Sequence, residues 1–173
     1  MECICINDQK RATLRFERKE LLADIKNEAY IEWDATNKER GHDKHLIADV
    51  CEEGNIEKVT RKLDLTFAHA VELCFPYTKK WVRPRSSRDN EYEEEEEYVM
   101  FMEVPSTFSE TTLDYLEELI HNLLVATVLA DWFSVTKPES VELYAIKVSG
   151  YEAEIVSALT RRCAPTTRKT SPF

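Results

Sequence analysis

Phe108–Phe133 reads FSETTLDYLEELIHNLLVATVLADWF. Its apolar residues Leu113, Leu116, Leu119, Ile120, Leu123, Leu124, Val128, Leu129, Trp132 and Phe133 return at helical spacing, not at the two-residue spacing of a strand. Ser109 is placed to cap the helix, and Phe108 to staple onto Leu113 one turn in. Between residues 123 and 130 the segment is apolar on nearly every side, so other elements must surround it. It is the centre around which the remaining elements are arranged.

Downstream, Lys137-Pro138-Glu139 restarts a helix with proline at its first turn. Tyr144, Val148, Tyr151, Ile155 and Leu159 form its apolar stripe, and the short connection makes it an antiparallel neighbour of the central helix. Upstream, Asn55 is a candidate cap for a helix carrying Ile56, Val59, Leu63, Phe67, Ala70, Val71 and Cys74 and ending before Pro76. A shorter helix from Asp43 carries Leu46, Ile47, Val50 and Cys51. An amphipathic helix from Glu17 carries Leu21, Leu22, Ile25, Ala29, Tyr30 and Trp33 as far as Asn37. Residues 1–15 read as an arm with a short strand near Thr13–Arg15.

Residues 77–105 break the helical pattern. Lys79, Lys80, Arg83, Arg85 and Arg88 crowd around Trp81 and Val82, and Ser86-Ser87-Arg88-Asp89-Asn90 reads as a turn. The return arm passes through Glu91, Tyr92 and the run Glu93, Glu94, Glu95, Glu96, Glu97 into an alternating strand. In that strand Tyr98, Met100, Met102 and Val104 share one face, and Val99 and Phe101 the other. The expected fold is therefore mainly α: one domain over residues 1–173, with a bundle of about five helices (17–76 and 108–162), an inserted charged β-hairpin arm (77–105) and an extended C-terminal tail (163–173).

Length and composition fit a folded domain: 173 residues, 43% hydrophobic and 32% charged. Only three glycines are present, so neither a glycine-rich phosphate loop nor a turn-dense all-β fold is expected. The net charge of −10 opposes a general role in wrapping nucleic acid. The opening Met1-Glu2-Cys3-Ile4-Cys5 has no basic start or apolar stretch of an export signal. The longest strongly apolar run, Leu123–Ala130, falls short of the ~20 residues of a bilayer span, so no membrane contact is expected. Five cysteines (Cys3, Cys5, Cys51, Cys74, Cys163) are an odd set that reads as reduced thiols of a protein made in a cytosol.

Candidate chemistry is sparse. His42 and His45 with Cys51 have the donor types of a zinc site, but no Cys-x-x-Cys accompanies them, and no metal or other cofactor is assigned. His69 and His121 lie in apolar helices and read as packed or hydrogen-bonded. No nucleophile-elbow or phosphate-loop motif occurs, and consecutive carboxylates such as Glu93–Glu97 form a solvated face, not a tuned acid–base pair. The chain is expected not to be an enzyme. The two charge blocks suit pairing with each other or with a neighbouring copy. The tail, with Arg161, Arg162, Arg168 and Lys169 ending in Pro172-Phe173, suits docking on an acidic partner through its terminal aromatic ring.

In pattern and order the chain resembles the small helical head–tail connector (neck adaptor) proteins of tailed bacteriophages. The resemblance is carried by the helix from Glu17, the Asp43-Lys44-His45-Leu46-Ile47 start, the Asn55–Cys74 helix and the acidic approach to Tyr98–Pro105. It continues through the helix end Leu129-Ala130-Asp131-Trp132-Phe133 and the closing Pro172-Phe173. It implies a virion structural subunit, made in the host cytoplasm, that assembles with itself as a ring between portal and tail proteins. The genome would pass through that ring without being held. Glu93–Glu97 are the channel-lining candidates. Lys79, Lys80, Trp81, Arg83, Arg85, Tyr98, Met100, Met102, Arg161, Arg162, Arg168, Lys169 and Phe173 are the interface candidates. The other reading is a cytosolic acidic interaction or regulatory protein, such as an inhibitor that mimics DNA.

Overall fold

Alternation organises the first element. In β1 (Gln9–Glu17) Ala12, Leu14 and Phe16 are buried, and Arg11, Thr13, Arg15 and Glu17 between them are exposed. β2 (Glu97–Pro105) alternates in the same way and buries Tyr98, Met100, Met102 and Val104. The two strands pair antiparallel, Phe16 opposite Tyr98, Leu14 opposite Met100 and Ala12 opposite Met102, so every buried side chain falls on one face. The structure is a computed structural model that describes residues 9–35, 47–80, 96–106 and 108–161.

The remaining elements are helical, as the spacing predicts. α1 (Arg18–Ala35) buries Leu21, Ile25 and Ala29, one residue per turn. A 3-10 turn (Asp49–Cys51) buries Val50, and α2 (Ile56–Leu73) buries Val59, Leu63, Phe67 and Ala70. α2 stops at Cys74, and Pro76, read as a terminator, instead stands in the first turn of the short α3 (Phe75–Thr78), where its missing N–H costs nothing. α4 (Glu110–Thr136) and α5 (Pro138–Thr160) form the antiparallel pair. The fold is thus mainly helical, with five α-helices and one antiparallel strand pair among the described residues.

One strand partner differs from expectation. β2 pairs along its whole length with β1, whereas the sequence reading paired it with the basic arm that begins at Lys79. Lys79 and Lys80 lie in a turn after α3, and residues 81–95 lie outside the described residues. Pairing a strand with one fully apolar face favours a partner of matching alternation. Ala12, Leu14 and Phe16 supply it, and the Lys/Arg-rich arm does not.

The caps also differ in detail. Ser109 takes the extended conformation of an N-cap and its carbonyl accepts from Thr112 and Leu113, but its hydroxyl pairs with that of Thr111 at 2.7 Å. Asn55 precedes α2 as expected, yet its side-chain amide donates back to the Asp49 carbonyl at 2.9 Å. It closes the preceding turn and leaves the α2 N–H groups alone.

α4 is the spine. It packs on α5, α2, α1 and β1, and Leu116, Ile120, Leu123, Leu124, Leu129 and Phe133 are fully buried. By length and composition it is a helix that could cross a membrane, which the eight-residue apolar run did not suggest. Here its central apolar residues are buried against α5, α2, α1 and β1. Its Asp131-Trp132-Phe133 end joins three elements: Asp131 pairs with Lys58 at 3.4 Å and Lys62 at 3.2 Å, and the Phe133 ring meets Tyr144 edge-on at 5.0 Å. Trp132 donates to the Ile47 carbonyl.

Candidate assembly surfaces

The strand face that the sequence offers as an interface is core. Tyr98, Met100 and Met102 are at most 1% exposed, with the Tyr98 ring 5.2 Å from Phe67 and the Tyr98 hydroxyl donating to Asp64 at 2.9 Å. These three are therefore corrected from interface to core residues. Alternation shows which side chains share a face but not which face meets solvent. The outward face holds Arg11, Thr13, Arg15 and Phe101, and Phe101 is 51% exposed. A groove of about 400 Å³ on this face is lined by Arg11, Thr13, Tyr77, Lys80, Phe101 and Glu103, and Lys80 forms an ion pair with Glu103 across it. The sequence reading set Phe101 on the face opposite Tyr98 and, having taken the Tyr98 face as the interface, did not name it.

Of the other interface candidates, Lys79 is exposed after α3, and Arg161 closes α5 with its guanidinium over the Tyr115 ring at 5.6 Å. Trp81, Arg83, Arg85, Arg162, Arg168, Lys169 and Phe173 lie outside the described residues, as do Glu93, Glu94 and Glu95. Glu96 and Glu97 are described. The Glu96 carbonyl accepts from the Arg18 N–H at 3.0 Å, and the Glu97 carboxylate takes both 3.2 Å contacts of the Arg15 guanidinium.

Arg15 connects this end of the acidic tract to a cleft. Its backbone N–H donates to the Glu117 carboxylate at 2.9 Å, and it lines an open cleft of about 610 Å³ with Glu20, Asp24, Glu117, Glu118 and His121. Asp24 and His121 face each other there at 2.8 Å. The carboxylates from β2, α1 and α4 thus lie along one edge, and Arg15 is the cation common to the two groups. Such a surface raises the local negative potential and repels phosphate.

Several polar groups inside are occupied structurally. The Thr60 and Thr66 hydroxyls donate to the Ile56 and Lys62 carbonyls one turn back, and Thr60 also accepts from Arg18. Cys51 donates to the Leu22 carbonyl, and burial raises its thiol pKa; burial pushes Cys74 up to about 12. Neither has the lowered pKa of a nucleophile. Tyr144 is raised by burial and by the neighbouring Glu28 carboxylate, to which its hydroxyl donates at 3.1 Å. His69 is 2.8 Å from Glu152 and, like His121, is hydrogen-bonded, as the sequence suggested. His42 and His45 lie outside the described residues, and no group of three metal-ligating side chains gathers among the described ones.

The outward face of α5 exposes apolar and small residues. Leu143 and Ile146 are 53% and 63% exposed, and Ser149, Gly150, Ala153, Ser157 and Thr160 continue the same face. No charged residue interrupts this stripe, although the helix carries Lys147, Glu152 and Glu154 on its flanks. Periodicity found the inward stripe of α5 and gave no reason to look at the outward one. No family model, curated protein or solved structure matches the chain.

Proposed function

We propose that this chain is a structural subunit of a phage virion neck, a head–tail connector that joins portal to tail as part of a ring and lets DNA pass. The observation that carries this reading is the acidic edge. Glu96 and Glu97 end the glutamate tract beside Arg15, and the same residue borders the cleft of Glu20, Asp24, Glu117 and Glu118. A channel wall of this charge keeps the phosphate backbone solvated and sliding, because a polyanion gains affinity only by releasing counterions to protein cations. Cys51, Tyr98 and Tyr144 are held by structural hydrogen bonds, which suits a protein whose work is docking.

Quantitative proteomics of purified particles tests the reading. The polypeptide is expected in fixed stoichiometry with the portal, and replacing Glu93–Glu97 by glutamine is expected to slow genome ejection with the subunit still incorporated. Its absence from particles, together with tight binding to a basic host protein, would overturn the neck role in favour of a DNA mimic.

A further inference from the structure

We infer that the end of α1, residues 30–35, is a strap latched to α5 by a polar ladder, and that it opens while the rest of the fold stays closed. The inference does not rest on the neck reading. It starts from a change of character along α1. Up to Ala29 the helix is held by apolar burial, with Leu21, Ile25 and Ala29 all 0% exposed. After Ala29 no residue of the helix is buried, and Tyr30 and Ile31 are 55% and 65% exposed. A helix end without a buried stripe draws little stability from the hydrophobic core.

The attachment of this end to α5 is polar. Glu32 accepts from the Ser140 hydroxyl at 2.7 Å and pairs with Lys137 at 3.4 Å. One turn back, Glu28 accepts from the Tyr144 hydroxyl at 3.1 Å and pairs with Lys147 at 3.7 Å. Residues four apart on α1 thus meet residues four apart on α5 in reverse order, as the rungs between two antiparallel helices. Glu32 also lies against the first turn of α5, where the helix dipole favours an anion. Trp33 adds a half-buried ring, and Tyr30 packs on that ring at 4.9 Å, so this pair belongs to the strap itself.

Polar rungs and apolar anchors open differently. The Glu32 and Lys137 side chains are 18% and 16% exposed, so loss of either charge leaves the other poorly solvated, and the rung fails as a unit. The Glu28 rung stands beside Ala29, the last apolar anchor of the helix, and marks the hinge. The Glu32 rung lies beyond that anchor and is the latch. Opening returns Ser140, otherwise 6% exposed, to water and frees the start of α5.

Hydrogen–deuterium exchange of the full chain, read by mass spectrometry, tests this. In wild type the amides of residues 30–35 are expected to be protected, but less than those of α4. Glu32→Lys is expected to speed their exchange about tenfold or more with α4 unchanged, and adding Lys137→Glu to restore most of the protection. Asp34→Asn, an exposed change on the same turn and away from the ladder, is expected to leave exchange within about twofold. A wild type in which residues 30–35 exchange as fast as an unfolded chain, a Glu32→Lys variant with unchanged exchange, or an Asp34→Asn variant that opens as far would overturn the inference. So would a double reversal without rescue, or a loss of protection in α4 together with α1, which would place the ladder in the cooperative core.

Discussion

Trp132 donates its indole Nε1–H to the Ile47 carbonyl across 3.1 Å, joining the end of the central helix to the segment that leads into the 3-10 turn. Trp132 is 9% exposed, so the carbonyl it serves has little water to turn to. Trp132→Phe is expected to cost about 1–3 kcal/mol by orphaning that acceptor, and Trp132→Ala about 3–5 kcal/mol once the packing volume is lost as well. Urea unfolding monitored by far-ultraviolet circular dichroism reads both. A phenylalanine variant as stable as the parent would show that the bond contributes nothing net.

Tyr98 is expected to act on stability and not on assembly. Its hydroxyl donates to the Asp64 carboxylate, so Tyr98→Phe removes one charge-assisted bond, worth about 1.5–3 kcal/mol. The same variant should leave the oligomeric state in sedimentation experiments unchanged. A change in assembly without a change in melting temperature would return Tyr98 to the interface.

Cys74 makes the protein alkali-sensitive. Below pH 9 its thiol is protonated in both folded and unfolded chains. Above the ordinary value of 9.0 the unfolded thiol ionises, and the folded one holds its proton to about 12, because burial disfavours the thiolate. The unfolded state then binds fewer protons, and this contribution falls by about 1.4 kcal/mol per pH unit across that window. Thermal melts of Cys74→Ala from pH 8 upward should show a shallower decline than the parent, with a remaining slope from Tyr144, whose proton is also retained by burial and by Glu28. Parallel pH profiles for parent and variant would contradict this.

The Arg15–Glu97 pair should matter little to the fold. Its side chains are 62% and 35% exposed, and an ion pair in that setting is worth about 0–1 kcal/mol. Glu97→Gln is expected to move the urea midpoint only slightly, and less at high salt. A loss of several kcal/mol would mean that the acidic edge is part of the folding core.

Helix periodicity was legible because each long helix must bury one stripe in the core, and a stripe of Leu63, Phe67 and Ala70 or of Leu21, Ile25 and Ala29 has no other use. The division of Tyr98–Val104 into two faces was legible for the same reason, with a period of two. The direction of those faces was not. It depends on Phe67 arriving from α2 to pack on Tyr98 and on β1 arriving from the other end of the sequence, and neither approach has a local signature.

The glutamate run and the basic arm are visible as composition, but only folding brings Glu97, Arg15 and Glu117 to one edge, because they stand on β2, β1 and α4. The outward stripe of α5 is spelled out in the chain, yet it becomes a surface only when Tyr144, Ile155 and Leu159 take the opposite side inward. Local pattern marks where the long helices and β2 form and which residues travel together, since these are properties of backbone period and side-chain polarity. Tertiary structure decided which of those groups meet water, because burial depends on what arrives from distant parts of the chain.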